Sequence, residues 1–126
     1  MIKKEGPGWR IIRDPSRKNF STLIGGDSWA IELDKYEWDK LVGVVIGLTD
    51  QYKSIKSQLM GDEDITLELE SRPWLAILQG DQYEWNLKLI LSDTGLPNRG
   101  AEVYWPENVA NHVANAMRTM WDSGYL

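Results

Sequence analysis

The sequence predicts an α+β domain built twice on one plan: an antiparallel sheet of three to four strands that runs into a long helix. Three observations predict it. Short runs of apolar and polar residues separated by turn formers fill the chain up to residue 33, and again from residue 64 to residue 105. Each block is followed by a segment whose apolar residues recur at steps of three and four, the helical period. The two strand-to-helix junctions, residues 30–38 and 101–109, are alike in kind and lie 71 residues apart. A chain of 126 residues is of ordinary size for one domain, so the expectation is a single domain over 1–126 with half-repeats 1–60 and 61–126.

In the first half, residues 9–14 read as a strand and Asp14-Pro15-Ser16-Arg17-Lys18-Asn19 as turn chemistry. Residues 20–24 and 29–33 are the next two strands. Gly25-Gly26-Asp27 between them suits the positive φ of two-residue hairpins. Asp34 can then cap a helix, with Glu37 three residues later as in a capping box, and Leu33 and Trp38 are spaced for a hydrophobic staple. Trp38, Leu41, Val45, Leu48, Tyr52, Ile55 and Leu59 form one stripe on a helix running to about residue 58. Gly61 lies where a helix end is expected.

The second half opens with clean alternation over residues 64–70: Ile65, Leu67 and Leu69 on one face, Thr66, Glu68 and Glu70 on the other. Ser71-Arg72-Pro73 breaks that strand. Residues 74–79 and 83–91 follow, joined at Gly80-Asp81, with Tyr83, Trp85, Leu87, Leu89 and Leu91 sharing a face. A loop of turn formers covers residues 92–100, and residues 101–105 are the last strand. Pro106 suits the first turn of the closing helix, whose stripe is Val109, Val113, Ala116 and Met120.

Composition limits the chemistry. Apolar residues make up 42% and charged residues 26%, as in an ordinary globular domain. Fourteen Lys and Arg stand against nineteen Asp and Glu, a net charge of -5, which disfavours duplex DNA and anionic membrane surfaces. The absence of cysteine removes disulfides, thiol nucleophiles, Fe–S clusters and thiolate zinc sites, and fits a cytoplasmic setting. One histidine, His112, excludes a His-rich metal centre. Lys3 and Lys4 resemble the start of a signal peptide, but no apolar region follows. The longest apolar run, residues 41–48, is far short of the ~20 residues of a membrane span.

The junction from Ile31 to Leu41, a strand passing into a long helix through a Trp and a Leu, resembles that of the transcriptional coactivator positive cofactor four. Two such units in one chain are similar to the plant Whirly proteins and the trypanosome guide-RNA-binding proteins, all of the single-stranded-nucleic-acid-binding transcriptional-regulator fold. Gly8-Trp9-Arg10 and the stretch from Ala101 to Pro106 resemble a small cyanobacterial family of unknown function grouped with that fold. The resemblance implies a Whirly-like fold and, by extension, a non-enzymatic, transcriptional-regulator-like protein. Whirly proteins carry a basic motif of the Lys-Gly-Lys-Ala kind; no such stretch occurs here, and no functional residue is carried over.

The strongest functional signal is charge asymmetry. Residues 1–20 hold six basic and two acidic side chains, whereas the other 106 hold eight basic and seventeen acidic. Trp9 and Phe20 lie within the basic segment. Aromatic rings stack on the bases of single strands while Lys and Arg follow the phosphates. Trp9, Arg10, Arg13, Arg17, Lys18 and Phe20 are therefore the candidate site for single-stranded DNA or RNA; the other reading is a core face with a solvated charged hairpin. Gly43 and Gly47 lie nearly opposite the first helix's stripe. Glycine inside a helix costs about 1 kcal/mol against alanine, so these two mark a close approach, either helix packing within a monomer or a homodimer contact.

No catalytic residue, metal ligand or cofactor is expected. Asp62-Glu63-Asp64 lacks a calcium-loop pattern, and Glu68, Glu70 and Glu84 read as a wet sheet face. The acidic, aromatic sheet surface supplies the alternative function, a protein–protein interaction or assembly factor. Of the seven tryptophans, Trp38 and Trp121 fall on helix stripes and Trp85 on an apolar strand face, all core positions. Trp9, Trp29, Trp74 and Trp105 sit near strand ends, where either core or surface is open.

Overall fold

The first sheet consists of β1 (Ile2–Gly6), β2 (Trp9–Arg13), β3 (Thr22–Gly25) and β4 (Ala30–Leu33), paired antiparallel in chain order. Helix α1 (Lys35–Ile55) follows, ending in a 3-10 turn at Lys56–Gln58. The second sheet repeats the plan with β5 (Ile65–Ser71), β6 (Trp74–Gly80), β7 (Trp85–Asp93) and β8 (Arg99–Trp105), again in chain order, before α2 (Ala110–Gly124). This computed structural model describes residues 1–93 and 98–124, with side chains to residue 120.

The sequence predicts three strands for the first half; the structure has four. Residues 2–5, Ile-Lys-Lys-Glu, contain one apolar side chain, so no alternation marks β1. An edge strand needs a partner on one side only, and β2 supplies it from Gly6↔Trp9 to Ile2↔Arg13. The turn between them places Gly8 at φ 80°, the left-handed region that a two-residue hairpin requires. The positive φ expected at Gly25-Gly26 does not occur: among the described residues, Gly8 is the glycine that adopts it. Gly26 is instead required for space, because a Cβ there would overlap the Trp29 indole nitrogen.

Helix α1 begins as its sequence dictates. The Asp34 carboxylate accepts the Glu37 N–H at 2.8 Å, and the Glu37 carboxylate accepts the Asp34 N–H at 2.9 Å. The stripe from Trp38 through Leu41, Val45 and Leu48 to Tyr52 is buried, as are Val42 and Val44 beside it. A helix apolar over this much of its circumference must be enclosed. It is enclosed by β5 and β6 on one side and α2 on another, while α2 also packs on β7. One core runs between the two sheets, and both helices lie in it.

Tryptophans join the halves. Trp74 and Trp105 are fully buried; their indole N–H groups donate to the Glu37 carbonyl at 2.8 Å and the Gly25 carbonyl at 3.0 Å. Trp29 returns the exchange, donating to the Tyr104 carbonyl at 3.2 Å with its ring 5.2 Å from that of Trp105. In each case a tryptophan of one half bonds the backbone of the other, burying a large apolar surface and satisfying its single donor together. Trp38 is core, and Trp9 and Trp85 are half-buried against it. The Trp121 side chain lies outside the described residues.

Candidate binding surfaces

Strand register divides the basic segment between two faces. Trp9, Ile11 and Arg13 point inward with Thr22, Ile24, Ile31 and Leu33; Lys3, Glu5, Arg10 and Ile12 point outward with Leu23 and Glu32. The six residues expected to form one nucleic-acid site therefore do not share a face. Arg13 donates Nε–H to Thr22 Oγ1 at 3.1 Å, and its guanidinium lies 5.3 Å from the centre of the Trp38 ring. The Trp9 indole covers Gly6, where a Cβ would come within 2.6 Å of its nitrogen. Phe20 lies beneath the Arg99 guanidinium at 4.6 Å. Arg10, Arg17 and Lys18 are exposed, and Arg17 pairs with Glu32 at 3.2 Å. The strand period alone sends Arg10 and Arg13 to opposite faces, a split that a segment-wide charge count ignores.

Gly43 and Gly47 also part company. Gly43 is exposed, with nothing within 4 Å of an added Cβ. A Cβ on Gly47 would lie 2.8 Å from Leu69 Cδ2, so the close approach there is made by β5 and not by the second helix.

Among the described residues, the deepest charged group is one that the sequence flagged only as a cap. Glu37 is 1% exposed; beyond its bond to Asp34 N–H, its Oε2 lies 3.1 Å from Arg99 Nε. The contact is ionic, since neither atom is aligned for a hydrogen bond. Arg99 also donates Nη2–H to the Glu32 carbonyl. Burial pushes the Glu37 carboxyl above its usual range; the Asp34 N–H and the Arg99 charge pull the other way. Arg99 carried no sequence signal because it precedes the predicted strand in a loop of turn formers. It ties β8 to β4 and to the start of α1, so the pair reads as a seam between halves.

The second sheet's outer face is the complement of the first. Its rows run Glu70–Leu75–Ile90–Glu102 and Glu68–Ile77–Lys88–Tyr104. Leu75, Ile77 and Ile90 are half-buried with no layer of the described residues over them, and Tyr104 is 44% exposed. Lys88 is matched by Glu102 at 2.6 Å, while Glu68 and Glu70 have no cationic partner among the described residues. At one end of this face an open cavity of about 450 Å³ lies between Tyr36, Arg72, Pro73 and Asp93. On the first sheet's outer face the aliphatic centre is Ile12 and Leu23. Glu5 and Glu32 are matched by Lys3 and Arg17, leaving Arg10 on this face, and Lys18 in the loop between β2 and β3, without an acidic partner among the described residues. No helix among the described residues is long and apolar enough to cross a membrane.

Residues 4–120 match the family described as a domain of unknown function, DUF1818. The chain belongs to that family. A crystal structure from the cyanobacterium Prochlorococcus sp. NATL2A, described as a protein with unknown function from the DUF155 family, is 77% identical to this DUF1818 chain. The two superpose with a TM-score of 0.92, covering 96% of this chain and 99% of that one. No curated protein matches.

Proposed function

We propose that the chain is a non-enzymatic assembly protein in which the second sheet's outer face of one copy docks on the first sheet's outer face of another. The observation that carries this reading is complementarity. An aliphatic centre of Leu75, Ile77 and Ile90 rimmed by unmatched Glu68 and Glu70 is offered to an aliphatic centre of Ile12 and Leu23 flanked by unmatched Arg10, with exposed Lys18 in the loop between β2 and β3. Aliphatic contact supplies affinity, and opposite charge sets orientation and encounter rate. Joining unlike faces is a heterologous contact, which closes into a ring or extends.

Sedimentation velocity against concentration tests it. The wild type associates, more strongly at low salt. Glu68→Lys/Glu70→Lys and Arg10→Glu/Lys18→Glu variants are each monomeric alone and associate when mixed, because the two unaltered faces again set acid against base. A wild type that stays monomeric at its highest soluble concentration refutes the reading.

A second reading, single-stranded nucleic acid on the first sheet, is favoured by the exposed Arg10 and Lys18 and by the sequence resemblance of the Ile31-to-Leu41 junction to that of single-stranded-nucleic-acid-binding proteins. Short single-stranded DNA and RNA oligomers titrated at two salt concentrations distinguish it. Affinity that falls steeply with salt and is lost in Arg10→Glu/Lys18→Glu supports nucleic-acid binding; no binding at low salt removes it.

A further inference from the structure

Away from the sheet faces, the last turns of α1, the turn before β7 and the first turns of α2 converge on a cleft. It comprises two adjoining cavities of about 160 and 230 Å³ that share Tyr52, Lys56, Trp85 and Asn111. Its base is fixed. Buried Tyr52 donates its O–H to the Asp81 carbonyl, and its ring lies 6.0 Å from that of Trp85. The Asp81 carboxylate accepts the Tyr83 and Glu84 N–H groups at 2.8 and 3.0 Å, which sets the turn at the rim.

Three kinds of group face this space. Trp85 is half-buried and Tyr83 is 78% exposed, so aromatic surface remains open. Asn111 and Asn115 present exposed carboxamides that bond no other described residue, each with donors and an acceptor. Lys53 and Lys56 are exposed and form no ion pair among the described residues. Arg118 also lines this space and is held by Asp50 at 2.6 Å, while Glu84 lines the second cavity with no cationic partner among the described residues.

We propose that this cleft binds a nucleotide, its base against Trp85 and Tyr83, the base edge on the Asn111 and Asn115 carboxamides, and its phosphate on Lys53 and Lys56. A purely apolar ligand would leave the carboxamides unused, and a bare anion would not need the aromatic walls. Carboxamides match the donor–acceptor edges of bases, aromatic side chains stack on their faces, and ammonium groups hold phosphate as point charges. Together the cavities are near the lower size of small-molecule sites, about 300 Å³. The cleft lies at the end of α1 remote from Asp34, and the inference is independent of sheet-to-sheet assembly.

The test is a titration of the intact chain with adenosine monophosphate, uridine monophosphate, adenosine and inorganic phosphate, followed by calorimetry and by NMR of the side-chain amides. Mononucleotides bind more tightly than adenosine or phosphate, and the Asn111 and Asn115 amide signals move. In Lys53→Glu/Lys56→Glu, which alters two side chains free of ion pairs, nucleotide affinity falls about tenfold or more while adenosine affinity changes less than about twofold. Asn111→Leu weakens nucleotide and adenosine alike. A short single-stranded oligonucleotide separates the two sources of such a ligand: competition with the mononucleotide identifies a strand end, and its absence identifies the free nucleotide. The proposal is overturned by no mononucleotide binding at millimolar concentration, by phosphate binding as tightly as nucleotide, or by unchanged affinity in the double lysine variant.

Discussion

Replacing Arg99 with methionine should destabilise the chain by about 3 kcal/mol at neutral pH, and the loss should shrink as pH falls. Methionine keeps an unbranched stem but removes three contacts: the ion pair to Glu37 at 3.1 Å, the bond to the Glu32 carbonyl, and the guanidinium over Phe20 at 4.6 Å. Stranding one partner of a buried pair costs about 3–5 kcal/mol. The lower end applies, because the Arg99 side chain is 22% exposed and water can reach its site. About 1–2 kcal/mol of this belongs to the carbonyl bond and the ring contact, which do not titrate.

The rest depends on the Glu37 charge. Its carboxyl is already raised, chiefly by burial, and Arg99 is one of the groups that lower it. A carboxyl whose folded value exceeds its unfolded value adds stability below the unfolded value and loses that gain as pH rises through the folded value. Removing Arg99 raises the folded value further. The penalty is therefore largest above the raised folded value and declines toward the non-titrating remainder as pH falls below the unfolded value. Urea unfolding at several pH values measures it. Glu37→Gln keeps an oxygen for the Asp34 N–H and removes the charge, so Arg99→Met made in that background should cost only the remainder. A penalty that is flat with pH, or unchanged in the Glu37→Gln background, refutes the argument.

Three further outcomes are expected. Trp105→Phe removes the indole donor to the buried Gly25 carbonyl and part of a fully buried ring, and should cost about 1–3 kcal/mol, read from the urea midpoint. Asp34→Ala removes the acceptor for the Glu37 N–H and should cost about 1 kcal/mol, with a lower Tm. Gly43→Ala meets nothing within 4 Å and should stabilise the helix by up to about 1 kcal/mol, whereas Gly47→Ala must displace Leu69 and should gain less or lose; equal gains at both sites would contradict the packing.

Much of the fold was legible because its causes are local. The capping box at Asp34 and Glu37 spans three positions of chain, and the stripe from Trp38 to Tyr52 follows from the helical repeat alone. The alternation of Ile65, Leu67 and Leu69 likewise sets the inner face of β5 before any partner is known. Strand β1 was not legible, because an edge strand buries little and carries no pattern of its own. The candidate sites were legible in part. Charge counting found the basic segment but could not assign Arg13 and Arg10 to opposite faces. The cleft around Trp85 was invisible, since it draws Lys53, Tyr83 and Asn111 from three separate elements.

Although α2 begins at Ala110 and not at Pro106, after a turn in which Asn108 takes φ 70°, neighbouring residues set where α1 starts, which side chains line the helix stripes, and that the plan is repeated. Those features depend on neighbours within about four positions in the chain. Tertiary structure alone decided that Glu37 would meet Arg99, that Trp29 and Trp105 would exchange bonds across the halves, and that Phe20 would lie covered. Each of these is a contact between distant residues, created when strand register and the packing of two layers are fixed together, and no local pattern encodes it.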